Sequence, residues 1–362
     1  MRARYRESGN VLKLPAALWD SAFLRTCRGE PAPRTPVWLM RQAGRYMAEY
    51  RALRSRTSFL ELCRTPALAA EATLFARERL DVDAAIIFSD ILIALEALGL
   101  PLAFAAGDGP TLSRPIASRA DVDALRPGAA AAADLGYVHD AIRLTARGLP
   151  ADIPLIGFCG APFTLASYAI EGGSSRHFAR TKSLMYREPA TWAALMERLV
   201  ETLSLYLAAQ IAAGASALQI FDSWVGNLTR DDFAEFVAPW LNRLVDAVPA
   251  GVPVIVFGTD TGHLIHPIAA TGCDVVGVDA ITDLDAAWTT AGGPGRVSVQ
   301  GNLDPCLLLG PRERLLDGAD AVIAAAAGRP GHIFNLGHGV MKETDPEQAV
   351  ALVKHVHERT QR

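Results

Sequence analysis

Eight short apolar runs, each followed by a longer helix-compatible segment, constrain this chain more than any other feature. They are VWLMRQ (37–42), DAAIIFSD (83–90), IPLIGFCG (153–160), SALQIFDS (216–223), PVIVFGTD (253–260), DVVGVDA (274–280), VSVQGNL (297–303) and HIFNLGHG (332–339). Near-continuous rather than alternating hydrophobicity marks strands covered on both faces, as in a parallel sheet flanked by helices. Eight such strands match an α/β fold of the single-domain (β/α)8 TIM-barrel class, with a deep cleft at the C-terminal ends of the strands. A doubly wound open sheet is the competitor, but no GxGxxG follows the first run and no GxxxxGKS or GxxxxGKT occurs.

The segments between the runs carry helix signals. Pro66–Leu80 opens on Thr65-Pro66, a cap and first turn, and sets Leu68, Ala72, Phe75 and Leu80 on one stripe. Pro189–Gly214 starts with proline and ends with glycine. The alanine run at 129–134 reads as helix because alanine is the strongest helix former. Residues 100–115, with Gly107, Asp108 and Gly109 at the centre, read as a turn or hairpin inserted after the second strand.

With 50% hydrophobic and 20% charged residues, the 362-residue chain has ample material for a large core. A net charge of -4 argues against a nucleic-acid partner bound through a broad basic face. No run of about 18 apolar residues offers a membrane span, and the charged N-terminus leads into no apolar signal segment, so the expected location is cytoplasmic. Cys27, Cys63, Cys159, Cys273 and Cys306 are scattered and odd in number, which fits reduced thiols rather than a disulfide framework or zinc ribbon.

Polar residues gather where the runs end: Arg41 and Arg45, Asp90, Ser223, Asp260, Asn302 and Asp304, and His338. In a barrel these ends share one face. Two arginines four residues apart repel until an anion arrives, so they are either solvated surface charges or a carboxylate or phosphate site. Asp90 ends a buried strand, where an acid needs a donor or a cation, or else it caps the next helix. Asp260 reads more strongly as a cap. Ser223 is a functional or a simple turn hydroxyl; it lacks the GxSxG elbow of a nucleophile. His338 stands between glycines, where the backbone can approach a ligand. His263 and His266 are three apart, with no third metal ligand evident, and read as helix surface or packing. Tyr168 offers a phenol to the pocket or packs beside it, and the later Glu171-Gly172-Gly173 reads as a loop.

MRQAGRY (40–46), FSDIL (88–92), the stretch from GAPFTL to EGGSS (160–175), FDSW (221–224), QGNLDP (300–305) and NLGHG (335–339) together resemble the uroporphyrinogen decarboxylase family. The resemblance runs in order from about residue 31 to the end. It implies a (β/α)8 catalytic domain over 31–362 behind an N-terminal extension and first helix at 1–30, usually a homodimer, with no cofactor and no metal. The implied activity converts the four acetate side chains of uroporphyrinogen to methyl groups, giving coproporphyrinogen. Carried over motif by motif, Arg41, Gln42, Ala43, Gly44, Arg45, Phe59, Asp90, Tyr168, Ser223 and His338 would bind substrate, with Asp90, Arg41, Tyr168 and His338 as the catalytic set; Phe59 aligns only after a one-residue gap. Ala48 and Lys342 stand where the family often has proline, and both should affect loop stiffness more than turnover.

The chemistry agrees with that resemblance. Four pyrrole N–H groups can converge on one acceptor, and Asp90 is the natural one. Protonating a pyrrole α-carbon makes the ring its own electron sink, and an ionised Asp90 would stabilise the developing cation more than the neutral ground state. A guanidinium with a pKa above about 12 is a poor acid near neutral pH, so the arginines are assigned to holding carboxylates. Two rivals share the barrel. A zinc-dependent cobamide or thiol methyltransferase would need a His/Cys zinc site, and no HxC pair with a matching later cysteine occurs. A non-catalytic tetrapyrrole-binding protein would not be expected to retain such costly polar residues.

Overall fold

The computed structural model describes residues 12–104 and 109–362. Nine strands occur among them: β1 (Ala85–Ile86), β2 (Leu102–Phe104), β3 (Pro110–Leu112), β4 (Leu155–Gly160), β5 (Ala217–Asp222), β6 (Val254–Gly258), β7 (Val275–Gly277), β8 (Ser298–Gln300) and β9 (His332–Ile333). Seven form one parallel sheet in the order β1-β4-β5-β6-β7-β8-β9. That order follows the chain without reversal, so the sheet lacks the switch point of a doubly wound fold. β2 and β3 pair antiparallel, the hairpin expected after the second strand. The centre of that turn, Gly107 and Asp108 included, lies outside the described residues, as do the first eleven residues.

Both faces of the sheet are covered, which explains the unbroken apolar runs. On the outer face Leu218, Ile220, Val254, Val256 and Val276 pack with the helices. On the inner face Ile156, Ala217, Ile255, Val275 and Ile333 pack with Val37 and Trp38. Side chains buried this completely contribute about 1.5–3 kcal/mol each relative to exposure.

The first expected strand differs. Of residues 37–42, only Val37 makes a β-bridge, to Phe334, and the chain turns at Met40-Arg41. The Phe334 N–H donates to the Pro36 carbonyl at 2.9 Å, the Trp38 N–H to the Phe334 carbonyl at 3.3 Å, and on the other side the Asp83 N–H to the Val37 carbonyl at 2.8 Å. Val37–Met40 are apolar because they are buried inside the fold, not because they extend a ladder. Side-chain bonds hold the segment instead: Asp83 Oδ2 accepts the Val37 N–H (2.7 Å), and the Trp38 indole donates to Gln300 (2.9 Å).

The helices follow their punctuation. One spans Pro189–Ala213 and stops at Gly214, whose φ of 123° lies outside the range other residues favour. Another covers Gly128–Asp134. Pro66–Leu80 is helical as expected, with two corrections. Its buried stripe is Ala69, Ala72, Thr73, Ala76 and Leu80, while Leu68 and Phe75 are only half-buried. Thr65 makes no cap bond, because its hydroxyl donates back to the Glu61 carbonyl (2.8 Å). The final helix, Pro346–Thr360, is tied to the start of the fold through His357, whose ring meets Asp83 at 2.7 Å; Arg34 pairs with the same carboxylate. None of the five cysteines is in a disulfide. No helix among the described residues is long and apolar enough to cross a membrane.

Candidate active site

The turn at Met40–Arg45 is shaped by its neighbours. Asn335 Oδ1 accepts the Met40 N–H (3.0 Å) and the Leu336 N–H (2.8 Å), and the Val340 N–H donates to the Met40 carbonyl (2.9 Å), so the turn is bonded to NLGHG. Arg41 takes φ +62°, a left-handed conformation that costs an ordinary side chain about 1–2 kcal/mol. Its stem crosses Gly339, where a Cβ would lie 2.4 Å from Arg41 Cδ. Among the described residues, neither the Arg41 nor the Arg45 guanidinium has an ion-pair or hydrogen-bond partner. Arg41 is exposed, yet desolvation lowers its pKa and the nearby Arg45 lowers it further, while Asp90 and Tyr168 act the other way. Such a pair is set to receive an anion.

Asp90 follows β1 and lies in the field of Arg41. Burial raises its pKa to about 6, against the downward pulls of the Leu92 N–H and of Arg41. Its Oδ1 accepts the Leu92 N–H at 2.8 Å, and the next helix, Ile93–Ala97, has no side-chain cap. One carboxylate oxygen therefore braces a local turn, and the group as a whole remains in the field of Arg41.

Tyr168 lies on the helix Pro162–Glu171, which follows β4. Burial, then Asp90, pushes its pKa up to about 12, which keeps the phenol protonated. His338 accepts the Gly339 N–H on Nδ1 (2.7 Å), which places the proton of the neutral ring on Nε2. Burial lowers the His338 pKa, as does Arg41, against upward effects of the Gly339 bond and Asp260. Arg41, Asp90, Tyr168 and His338 thus share one electrostatic neighbourhood despite coming from four regions of the chain.

The remaining expected residues divide. Ser223 directly follows β5, with its carbonyl accepting the Thr259 hydroxyl (2.6 Å). Phe59 packs its ring on Phe104 of β2 (4.8 Å) and on Phe88 (6.0 Å), two residues before Asp90. Ala43 and Gly44 are half-buried in the arginine turn. Gln42 is fully buried, with Oε1 accepting the Leu39 N–H (3.3 Å) and its carbonyl accepting the Tyr46 hydroxyl (2.7 Å), so it shapes the turn. Asn302 is likewise internal, donating to the Asp279 and Thr282 carbonyls at 2.7 Å, and Asp304 caps the turn Pro305–Leu309. Asp260 does not cap the turn that follows it; it sits at φ +58° in the field of His338. His263 and His266 contact the carbonyls of Leu228 and Thr290, the packing role expected of them.

Two residues of this wall escaped sequence reasoning. Asp222 ends β5 fully buried, and Thr164 donates its hydroxyl to it at 2.7 Å. Only the FDSW motif marks Asp222 in the sequence, and within it the carboxyl looks like any other strand end.

The chain matches the family model for uroporphyrinogen decarboxylase over residues 19–359. It is 51% identical over 336 residues to the uroporphyrinogen decarboxylase of Sorangium cellulosum, covering 92% of this chain and 95% of that protein. It is 48% identical over 341 residues to that of Koribacter versatilis, with 94% and 96% covered. Among solved structures, a methyltransferase from Methanosarcina mazei superposes with a TM-score of 0.78 at 20% identity, over 93% of this chain and 98% of that one. That likeness is one of fold.

Proposed function

This chain belongs to the uroporphyrinogen decarboxylase family, and from that premise we propose how its cleft removes carboxylates from uroporphyrinogen. The observation that carries the reading is the pair of guanidiniums, Arg41 and Arg45, without partners among the described residues, the first of them acting on the desolvated Asp90. The arginines hold side-chain carboxylates through charge-assisted hydrogen bonds. Asp90, once ionised, accepts the pyrrole N–H groups of the macrocycle. The phenol of Tyr168 and the Nε2–H of His338 donate to substrate oxygens, Ser223 lines the same wall, and Phe59 with Phe88 supplies apolar surface to the ring edge.

Each turnover replaces a C–CO2 bond with a C–H bond: an acetate group and a proton give a methyl group and carbon dioxide. Protonation at the pyrrole α-carbon makes the ring cationic, and that cation accepts the electron pair left by the departing carbon dioxide. The exocyclic methylene so formed takes up a proton while the α-carbon releases the one it gained, so one proton is consumed for each carbon dioxide released. Asp90 stabilises this cation more than the neutral ring, which lowers the barrier. The ring supplies the electron sink, so the proposed reaction uses no cofactor.

The catalytic unit is residues 31–362 read as a closed eight-membered barrel, with Val37 standing in for the first strand between Phe334 and Asp83, and residues 1–30 as extension and first helix. The hydrogen bonds of Pro36, Val37 and Trp38 on both sides support that closure. The working form is a cytoplasmic homodimer. A zinc methyltransferase reading finds no support, since among the described residues no group of three or more His, Cys, Asp or Glu side chains is placed to hold a metal ion. Anaerobic incubation with uroporphyrinogen, followed by oxidation and chromatography, should show stepwise loss of four carboxylates; an unchanged octacarboxylate would refute the function.

A further inference from the structure

Beneath Ser223 lies a carboxyl group that the proposed chemistry leaves unused. Asp222 is 1% exposed, and its Oδ1 accepts the Thr164 hydroxyl at 2.7 Å. The same Thr164 oxygen accepts the backbone N–H of Trp224 at 3.2 Å. Thr164 stands one helical turn before Tyr168, so their side chains share a face of the helix Pro162–Glu171. The rings of Tyr168 and Trp224 lie 5.7 Å apart, and Phe178 packs on Trp224 at 5.4 Å.

Two observations indicate that this arrangement does more than fill space. The Ala161 N–H donates to the Phe221 carbonyl at 2.8 Å, so the Thr164 bonds begin where the β4–β5 ladder ends. A hydroxyl that donates to Asp222 and accepts from Trp224 is satisfied at only one separation of helix and strand. Asp222 Oδ2, for its part, is buried without a hydrogen-bond partner among the described residues, a costly state for a carboxylate. Burial raises the Asp222 pKa to about 7, and a proton on that oxygen relieves the cost.

We propose that Asp222 and Thr164 are a positioning pair that sets Trp224 against Tyr168 and so fixes the Tyr168 phenol and Ser223 on the substrate side of the cleft. The pair acts through its neighbours and does not itself touch substrate. Its link to turnover rests on Tyr168 serving the decarboxylation; its geometry does not.

The test uses the full chain labelled with 5-fluorotryptophan, the Trp224 resonance being assigned by its loss in Trp224→Phe. Thr164→Val keeps the side-chain shape without the hydroxyl and should move the Trp224 signal while those of Trp38 and Trp288 hold. Thr164→Ser should restore it. In parallel, kcat/KM for uroporphyrinogen should fall about ten- to a hundredfold in Thr164→Val, as expected for a misplaced orienting group, and recover to within about threefold in Thr164→Ser. If Thr164→Val does not fold, Asp222→Ala, which deprives the hydroxyl of its acceptor, must move the same signal. An unmoved Trp224 signal overturns the pair. A moved signal with unchanged kcat/KM overturns its catalytic link and leaves the decarboxylase reading standing. Failure of the unsubstituted protein to decarboxylate would strike that reading, with the fluorine signal still deciding the pair.

Discussion

Arg41 lies across Gly339 so closely that a single methyl group at 339 would sit 2.4 Å from Arg41 Cδ and 2.7 Å from Cγ. The guanidinium is therefore aimed by a glycine almost three hundred residues away. Gly339→Ala should push the stem aside and raise KM about tenfold, with little change in unfolding midpoint because the clash is with an exposed side chain rather than with the core. Steady-state kinetics with a melting curve checks this, and an unchanged KM would show that the stem can shift without loss.

Asp90 should trade stability for activity. Its pKa rises from 3.8 to about 6 in the fold, so the folded state disfavours the ionised form. The penalty is absent below about pH 4, grows between pH 4 and 6 and is complete at pH 7. Asp90→Asn, which can still accept the Leu92 N–H, should gain about 1–3 kcal/mol at pH 7 in urea unfolding and nothing near pH 4. Turnover should drop at least about a hundredfold. A variant with normal turnover would remove Asp90 from the mechanism.

The pH profile provides a separate check. Since ionised Asp90 is the working form, kcat/KM should decline as pH falls through about 6 in the unsubstituted protein. Arg41 pulls that pKa downward, so the acid limb of Arg41→Lys should stay in place while that of Arg41→Ala should move to higher pH. A limb fixed in Arg41→Ala would assign the titration to another group.

Carboxylate capture predicts a graded loss of affinity. Uroporphyrin, the oxidised and stable analogue, should bind more weakly to Arg45→Ala and weaker still to Arg41→Ala, by about 1.5–3 kcal/mol for each lost charged bond. The salt dependence of binding should flatten in both. Calorimetry at two ionic strengths measures it, and equal affinities across the three proteins would argue for solvated surface arginines.

At the opposite end of the fold, Asp83 joins His357, Arg34 and the Val37 N–H. Burial alone would raise the Asp83 pKa, but the bond to His357 and the other partners outweigh it and hold the carboxyl below its ordinary range. A depressed carboxyl contributes stability above its unfolded pKa and loses it as pH falls through the folded value, so acid unfolding should begin in the region below about pH 4. His357→Ala should cost about 2–4 kcal/mol at pH 7, since it leaves a buried charge with fewer partners. Denaturant midpoints across pH would test both statements.

Most of the sheet was legible because β4 to β8 are covered on both faces and their apolar runs are unbroken. The helix Pro189–Ala213 was legible because proline and glycine punctuate it. Val37–Met40 misled for a physical reason: burial against a curled sheet makes a turn as apolar as a strand, and hydrophobicity alone cannot separate the two. The stripe on Pro66–Leu80 was misplaced because small alanines, rather than Leu68 and Phe75, let neighbouring helices approach. That Arg41, Asp90, Tyr168 and His338 share one electrostatic neighbourhood could be expected from strand ends and motifs. Asp222, Thr164 and the Gly339 bed for Arg41 could not, since each gains its meaning from a contact between distant segments.

The single bridge at Val37 carries a further consequence. The arginine turn hangs from tethers supplied by Asp83, Gln300 and Asn335 rather than from a continuous ladder. Its aim can therefore be retuned by substitutions at any of these anchoring points while the load-carrying sheet stays as it is, so that the set of the arginines and the integrity of the parallel sheet are adjustable separately in this architecture.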